Sequence, residues 1–293
     1  MANSIVVRLC GLIALLAIAA AGSGLFLHDG GEPYAFTTVR GETAKVYGQG
    51  LYRYDSLMAG SGQRGVDLVT LLFGLPLLAA ATLRYRHPSA RGGLLLSGAL
   101  LYFLYVYATL SFGTAFNALF LVYVALFGAS FYALILLIAT ADIPRLTSHL
   151  ADGLPHRGIG VFLIASGVLT LGIWLEAPLT SLLTGHPPTL LGHSTTLITH
   201  ALDLAIIVPG AFMAGALVLR RDPRGYLIAF PLLTLMVMLV PAIIAMTVSQ
   251  LQAGIVFTTA EWAGPISGFL ILGGPGIWIA ARVLRRIPDG EES

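Results

Sequence analysis

The sequence predicts an all-α fold, a polytopic membrane helix bundle of eight transmembrane helices with one long outer loop that holds a short β-hairpin. Three observations predict it. First, of 293 residues 57% are hydrophobic and 10% are charged, and the mean hydropathy is +0.86, whereas soluble domains carry about 25% charge. Second, eight stretches (5–27, 65–83, 92–112, 116–140, 158–176, 198–219, 226–249 and 262–282) are apolar enough to cross a bilayer, which takes about 20 helical residues. Backbone groups in lipid must bond internally, so these stretches are helices. The alternating pattern of a membrane barrel is absent.

Third, the basic residues segregate. With the N-terminus inside, Arg8, Arg84, Arg86, Arg91, Arg145, Arg157, Arg220, Arg221, Arg224, Arg282, Arg285 and Arg286 fall on the cytoplasmic side, against Arg40, Lys45, Arg53 and Arg64 outside. Cytoplasmic connections carry the arginine excess, so both termini are expected in the cytoplasm. Arginine far outnumbers lysine, and Ala, Gly and Leu abound. That is the composition of a GC-rich bacterium and points to a bacterial plasma (inner) membrane. The net charge of +2 is too balanced for a nucleic-acid partner. Cys10 is the only cysteine, which rules out an intramolecular disulfide, a CxxC redox motif and a thiolate metal cluster.

Taken in order, the first segment has two readings. Arg8, an apolar run and Ala19-Ala20-Ala21-Gly22-Ser23 resemble a secretory signal, whose cleavage would leave seven helices. The run is longer than a usual signal core, so a retained helix is expected. Residues 28–63 form the long outer loop. Within it Phe36–Val39 and Ala44–Tyr47 flank Arg40-Gly41-Glu42 and predict the hairpin. Tyr47, Tyr52 and Tyr54 follow, with Gly48 and Gly50 among them. Tyrosines at this depth form an interfacial belt or, alternatively, cap a site between the helices. Residues 84–91 and 220–225 are short inner turns, each with a proline among arginines. The longer inner connection 141–157 has the Pro, Gly and charge of a hinge. It divides the chain into an N-terminal half (1–140), a C-terminal half (158–286) and a polar tail (287–293).

The halves share one local likeness. Asp67–Arg84 set on Asp203–Arg220 without gaps matches at Asp67/Asp203, Leu68/Leu204, Gly74/Gly210, Ala80/Ala216, Leu83/Leu219 and Arg84/Arg220. The pair are helices two and six of eight, which predicts a four-plus-four parallel internal repeat.

A charge within a bilayer costs about 2.5–3.5 kcal/mol on the insertion scale, so ionisable residues near the helices are the informative ones. Asp67 is expected to open helix two, Glu176 to close helix five, Asp203 to lie in helix six and Glu261 to open helix eight. All belong to the outer third, as do His193 and His200. A carboxylate at a helix N-terminus caps free N–H groups, and that is the plain reading of Asp67 and Glu261. Glu176 at a C-terminus needs a partner such as Arg64, Arg53 or a histidine. On one continuous helix His193, His200 and Asp203 would share a face, the weak candidates for a metal; no metal motif supports them. Asn117 reads as turn chemistry, and Tyr102, Tyr105, Tyr107, Tyr123 and Tyr132 as packing or a tyrosine-lined pocket. Helix eight, with Gly264-Pro265 and Gly273-Gly274-Pro275-Gly276, is prone to break or to pack closely. No nucleotide loop, nucleophile elbow or other catalytic motif occurs, and nothing names a cofactor.

The expectation is a carrier or receptor for a small polar solute or cation, with Asp67, Asp203, Glu176, His200, Glu261, Arg64 and Tyr52 as candidate ligand-binding residues. The alternatives are an accessory or assembly subunit that docks a protein partner through loop 28–63, and an outward-facing enzyme using these residues as acid, base or metal ligands. A non-enzyme is favoured.

Overall fold

A computed structural model describes residues 3–87, 89–142, 154–188 and 191–287, without the side chains of 260–265. The linker expected at 141–157 therefore lies largely outside the described residues, as do the tail 288–293 and the side chain of Glu261. Among the described residues eight helices are long and apolar enough to cross a membrane, and the chain is a multi-pass membrane protein.

The spans are built from ten α-helices. Helix α1 (Ser4–Phe26) begins where the Asn3 side chain accepts from the Ile5 amide. Its buried face, Val6, Cys10, Ile13, Ala17, Ala20 and Gly24, recurs every three or four residues and turns from branched to small toward its far end. The strands β1 (Tyr34–Thr37) and β2 (Thr43–Val46) then pair antiparallel, with Tyr34 opposite Val46.

The second span runs from Leu57 to Tyr85. It is α2 (Leu57–Val69), one π-helical turn (Thr70–Gly74) and α3 (Leu75–Tyr85). The sixth span repeats this plan with α7 (Ile198–Leu202), a π turn (Asp203–Ile207) and α8 (Val208–Leu219). The cause is the same in both. Pro76 and Pro209 sit second in the following helix. A proline ring clashes with the carbonyl four residues back and has no N–H to give it. Widening one turn relieves the clash, so the amide of Leu75 bonds to the Thr70 carbonyl and that of Val208 to the Asp203 carbonyl. These two breaks pair Thr70 with Asp203, three residues out of step with the register that matches Asp67 to Asp203.

The other spans are α4 (Ala90–Gly113), α5 (Phe120–Ala139), α6 (His156–Thr184), α9 (Arg224–Gln252) and α10 (Thr259–Arg286). Helix α4 is the most enclosed and packs on α3, α5 and α9. Helix α9 packs on α2 and α4 as well as on α8 and α10.

Candidate functional site

Helix α2 starts eight residues earlier than hydropathy suggests, capped by Ser56, whose hydroxyl accepts from the Ala59 amide. This corrects the capping reading of Asp67. The residue lies deep within the helix and is 2% exposed. Its Oδ2 accepts a 2.7 Å hydrogen bond from the Tyr52 hydroxyl, and Gln63 and Arg64 lie beside the carboxyl.

The Tyr47–Asp55 segment delivers Tyr52 to this place. Tyr47 and Tyr52 are buried, so they form no interfacial belt; Tyr54 alone of the three is exposed. The segment folds on itself, with the Tyr47 amide donating to the Asp55 carbonyl and the Gly48 amide to the Arg53 carbonyl. Gly48 and Gly50 both take positive φ, a conformation glycine adopts without penalty. The loop is thus a plug that inserts two tyrosines into the bundle. Burial pushes the Tyr52 hydroxyl well above the usual tyrosine range, with the Asp67 charge adding to it, so it remains a donor.

Gly24 makes room for the pair. A Cβ there would collide with Asp67 Oδ2 and would lie 2.6 Å from the Tyr52 hydroxyl. The cysteine, alanines and glycine of the α1 face are the sequence signal for this close approach.

Tyrosines enclose the centre. Tyr102, Tyr107 and Tyr123 are each at most 1% exposed. Phe103, Tyr107 and Tyr123 stack in sequence at centroid distances of 6.2 and 6.3 Å. Tyr102 shares a 2.8 Å hydrogen bond with Thr70 of the π turn. These residues read in sequence as packing or a tyrosine-lined pocket; their hydroxyls make the region polar as well as packed.

Among the described residues, the same region holds buried polar atoms that complete no well-aligned hydrogen bond: Asp55 Oδ2, Gln63 Nε2, Arg64 Nε, Asn117 Nδ2 and the Tyr123 hydroxyl, with Gln63 against Asp67 and Asn117 and Tyr52 against Tyr123. Asp55 is 5% exposed, and its Oδ1 accepts a 2.8 Å bond from the Ala115 amide, tying the plug to the α4–α5 turn. Burial lifts the Asp55 carboxyl to about 7, and the Ala115 amide pulls the other way. Asn117 performs the expected turn chemistry, accepting from the Leu119 amide. Only the tertiary fold brings Gln63 to Asp67 and gathers Asp55 and Asn117 around Tyr123, so the sequence offers no signal for them.

Arg64 has a structural task. Its guanidinium donates to the Leu25 carbonyl in the last turn of α1 and to the Tyr47 hydroxyl, and contacts His28. It thereby caps α1, whose terminal carbonyls lack helical partners.

Asp203 forms a second centre. It is 7% exposed, and the Tyr105 hydroxyl donates to its Oδ1 at 3.0 Å. His200 is buried one turn earlier, its ring 4.4 Å from that of Trp174. Residues 193–200 are not one helix: they pass through a turn and bends before α7 begins at Ile198. His193 therefore shares no continuous helical face with His200 and Asp203, which removes the spacing argument for a metal.

Glu176 does not close its helix. Helix α6 continues to Thr184, and Glu176 stands on its exposed face. Glu261 falls in the first turn of α10, with its side chain outside the described residues.

The hairpin reaches the second centre's neighbourhood. Arg40 donates to the carbonyls of Gly192 and Ser194, just ahead of α7. One loop thus covers Asp67 and holds the segment that leads into α7. Comparison with protein-family models, with curated proteins and with solved structures finds no match to this chain.

Proposed function

We propose that this protein is a carrier or receptor for a small cation, the proton foremost, in a bacterial plasma membrane, with its site in the outer half of the bundle around Asp67. The observation that carries the reading is the Asp67 carboxyl, buried in a membrane-spanning helix and hydrogen-bonded to the neutral Tyr52 hydroxyl. A buried carboxylate is costly unless a cation neutralises it. Neighbouring polar atoms that complete no well-aligned hydrogen bond inside the protein support exchange with water or ligand when the plug lifts. Tyr52 positions the carboxyl, Arg64 secures the end of α1, and Asp203 with His200 lies under the other part of the loop. Both termini are cytoplasmic in this reading, which the arginine distribution supports.

The test is proton flux into liposomes that hold a pH-sensitive dye, driven by a potassium diffusion potential. Wild-type protein should carry protons faster than empty liposomes, and Asp67→Asn should reduce flux to the background. Flux that survives in Asp67→Asn overturns the assignment of the site. No flux from folded wild-type protein overturns the proton as ligand. It would favour the accessory-subunit reading, in which the exposed hairpin residues Tyr34, Phe36 and Val39 dock a partner protein. Labelling of cysteines placed at positions 142 and 222 tests the orientation: both should react from the cytoplasmic side.

A further inference from the structure

The sixth span carries an ionisable group that the Asp67 centre does not use. Asp203 opens the π turn 203–207, inside the membrane-spanning stretch Ile198–Leu219. Among the described residues no cation forms an ion pair with it. The titratable and charged groups facing it from the packed elements are few. Tyr105 comes from α4 and donates to Oδ1. His200 comes from the preceding turn of its own span, and its ring rests on Trp174 of α6. Glu176, also on α6, is exposed, and Arg40 of the hairpin is engaged by the Gly192 and Ser194 carbonyls.

We infer that Asp203 is a second proton-binding centre, separate from Asp67, and that His200 is the group through which its proton comes and goes. Four physical points carry this. An ion in this position is expensive without a neutralising partner. A hydrated metal cation needs several oxygen ligands, whereas the described surroundings provide one carboxyl and one phenol; a proton needs a single oxygen. Tyr105 occupies Oδ1, so the proton sits on Oδ2. Residues three apart on a helix have Cβ atoms about 5–6 Å apart, so His200 and Asp203 are neighbouring positions of one span, the imidazole resting on Trp174 and the carboxyl bonded to Tyr105, and turning the imidazole from Trp174 brings it toward Oδ2.

The transfer is a simple exchange. The imidazolium of His200 gives one proton to Asp203 Oδ2 and becomes neutral; the carboxylate becomes a carboxylic acid; the reverse step restores both. While His200 is charged, the indole of Trp174 can stabilise it as a cation against an aromatic ring. That Asp203 binds a proton stands apart from the Asp67 reading; only its coupling to transport rests on that reading.

Infrared spectroscopy of the full chain in lipid nanodiscs tests it, because the carbonyl stretch of a protonated carboxyl is separate from that of a carboxylate. Asp203→Asn should remove one carboxyl component, different from the component that Asp67→Asn removes. Tyr105→Phe should raise the frequency of the Asp203 component, which loses its hydrogen bond, and leave that of Asp67 in place. His200→Gln should keep the component but slow its exchange with deuterium by about a hundredfold. A carboxyl region unchanged in folded Asp203→Asn overturns the centre. If that variant does not fold, a Tyr105→Phe spectrum identical to wild type overturns it instead. Unchanged exchange in His200→Gln removes the histidine from the path. The Asp67→Asn spectrum reads the first centre independently, so failure of one assignment is distinguishable from failure of the other.

Discussion

Asp67 and Asp203 lie near the same backbone device, a proline-driven π turn in a membrane-spanning helix, and both accept from a tyrosine hydroxyl. Their surroundings differ. Asp67 precedes its π turn, sealed beneath the Tyr47–Asp55 plug among buried tyrosines, with Gln63 beside it. Asp203 is the first residue of its π turn and has Tyr105 and the His200–Trp174 pair for company. The difference teaches that a carboxyl in a bilayer is defined less by its helix than by what the loops lay over it. The first centre is covered by the plug; toward the second, the hairpin holds the Gly192 and Ser194 carbonyls through Arg40.

The harshest way to break the comparison is to fill the space that only the first centre requires. Gly24→Val puts atoms where Asp67 Oδ2 and the Tyr52 hydroxyl already are, and the plug cannot seat. Loss of monodisperse, folded protein is expected on size-exclusion chromatography. Gly22→Ala is the control, since a Cβ there meets nothing within 4 Å, and it should leave the elution and the melting temperature unchanged. Equal behaviour of the two variants would mean that α1 does not approach Asp67 as closely as described.

Next in size is the pH dependence of the plug. Asp55 has its carboxyl lifted from 3.8 to about 7 by burial when the plug is seated. An acid with a raised value holds its proton in the closed form, so closure is fully stable below about 4. Stability is then lost as the pH rises to about 7 and is constant above it. The loss is on the order of 2–4 kcal/mol. Hydrogen exchange through residues 47–55, corrected for the intrinsic effect of pH, should report it. In Asp55→Asn that dependence should vanish. A profile in Asp55→Asn equal to wild type would assign the titration to another group. Asp203 should not follow the plug, since no part of the plug contacts it.

How much of this was legible in the sequence depends on the force involved. The spans were legible because lipid leaves a continuous apolar record over each stretch. The N-terminal part of α2 was not. Leu57–Arg64 contains Gly60, Ser61, Gly62, Gln63 and Arg64, and reads as loop because its small and polar residues face α9 and the plug rather than lipid. That misreading moved Asp67 from the interior to a helix end. Glu176 was misplaced for a related reason: α6 continues past Pro178 to Thr184, although a charge and a proline suggest an ending. The candidate residues Asp67, Asp203, His200 and Tyr52 were legible as rare polar groups in an apolar setting. The neighbours Gln63 of Asp67 and Tyr105 of Asp203 were not, because tertiary packing selects them from many equivalent side chains.

A smaller effect separates the two tyrosines. Tyr52→Phe removes the donor from a carboxyl with almost no access to solvent, and the cost should be about 1–3 kcal/mol, the range for leaving a buried acceptor unsatisfied. Tyr105→Phe removes a longer bond and should cost about 1 kcal/mol. Thermal unfolding in matched detergent measures both. A reversed order would place the more dependent carboxyl at Asp203 and undo the ranking of the two centres.

The smallest effect concerns the link between them. Arg40 is partly exposed and bonds to two backbone carbonyls, with Glu42 beside it. Exposed pairs of this kind are worth about 0–1 kcal/mol, so Arg40→Ala should hardly change global stability. Its local effect is more informative. Residues 191–194 should exchange amide hydrogens faster once the hairpin no longer holds their carbonyls, while residues 47–55, fixed by Tyr52 and Asp55, should exchange as before. If both segments loosen together, the loop is one rigid cap and the two centres open as a unit. If only 191–194 loosens, they are gated separately, and the Asp203 centre can exchange its proton while Asp67 remains sealed.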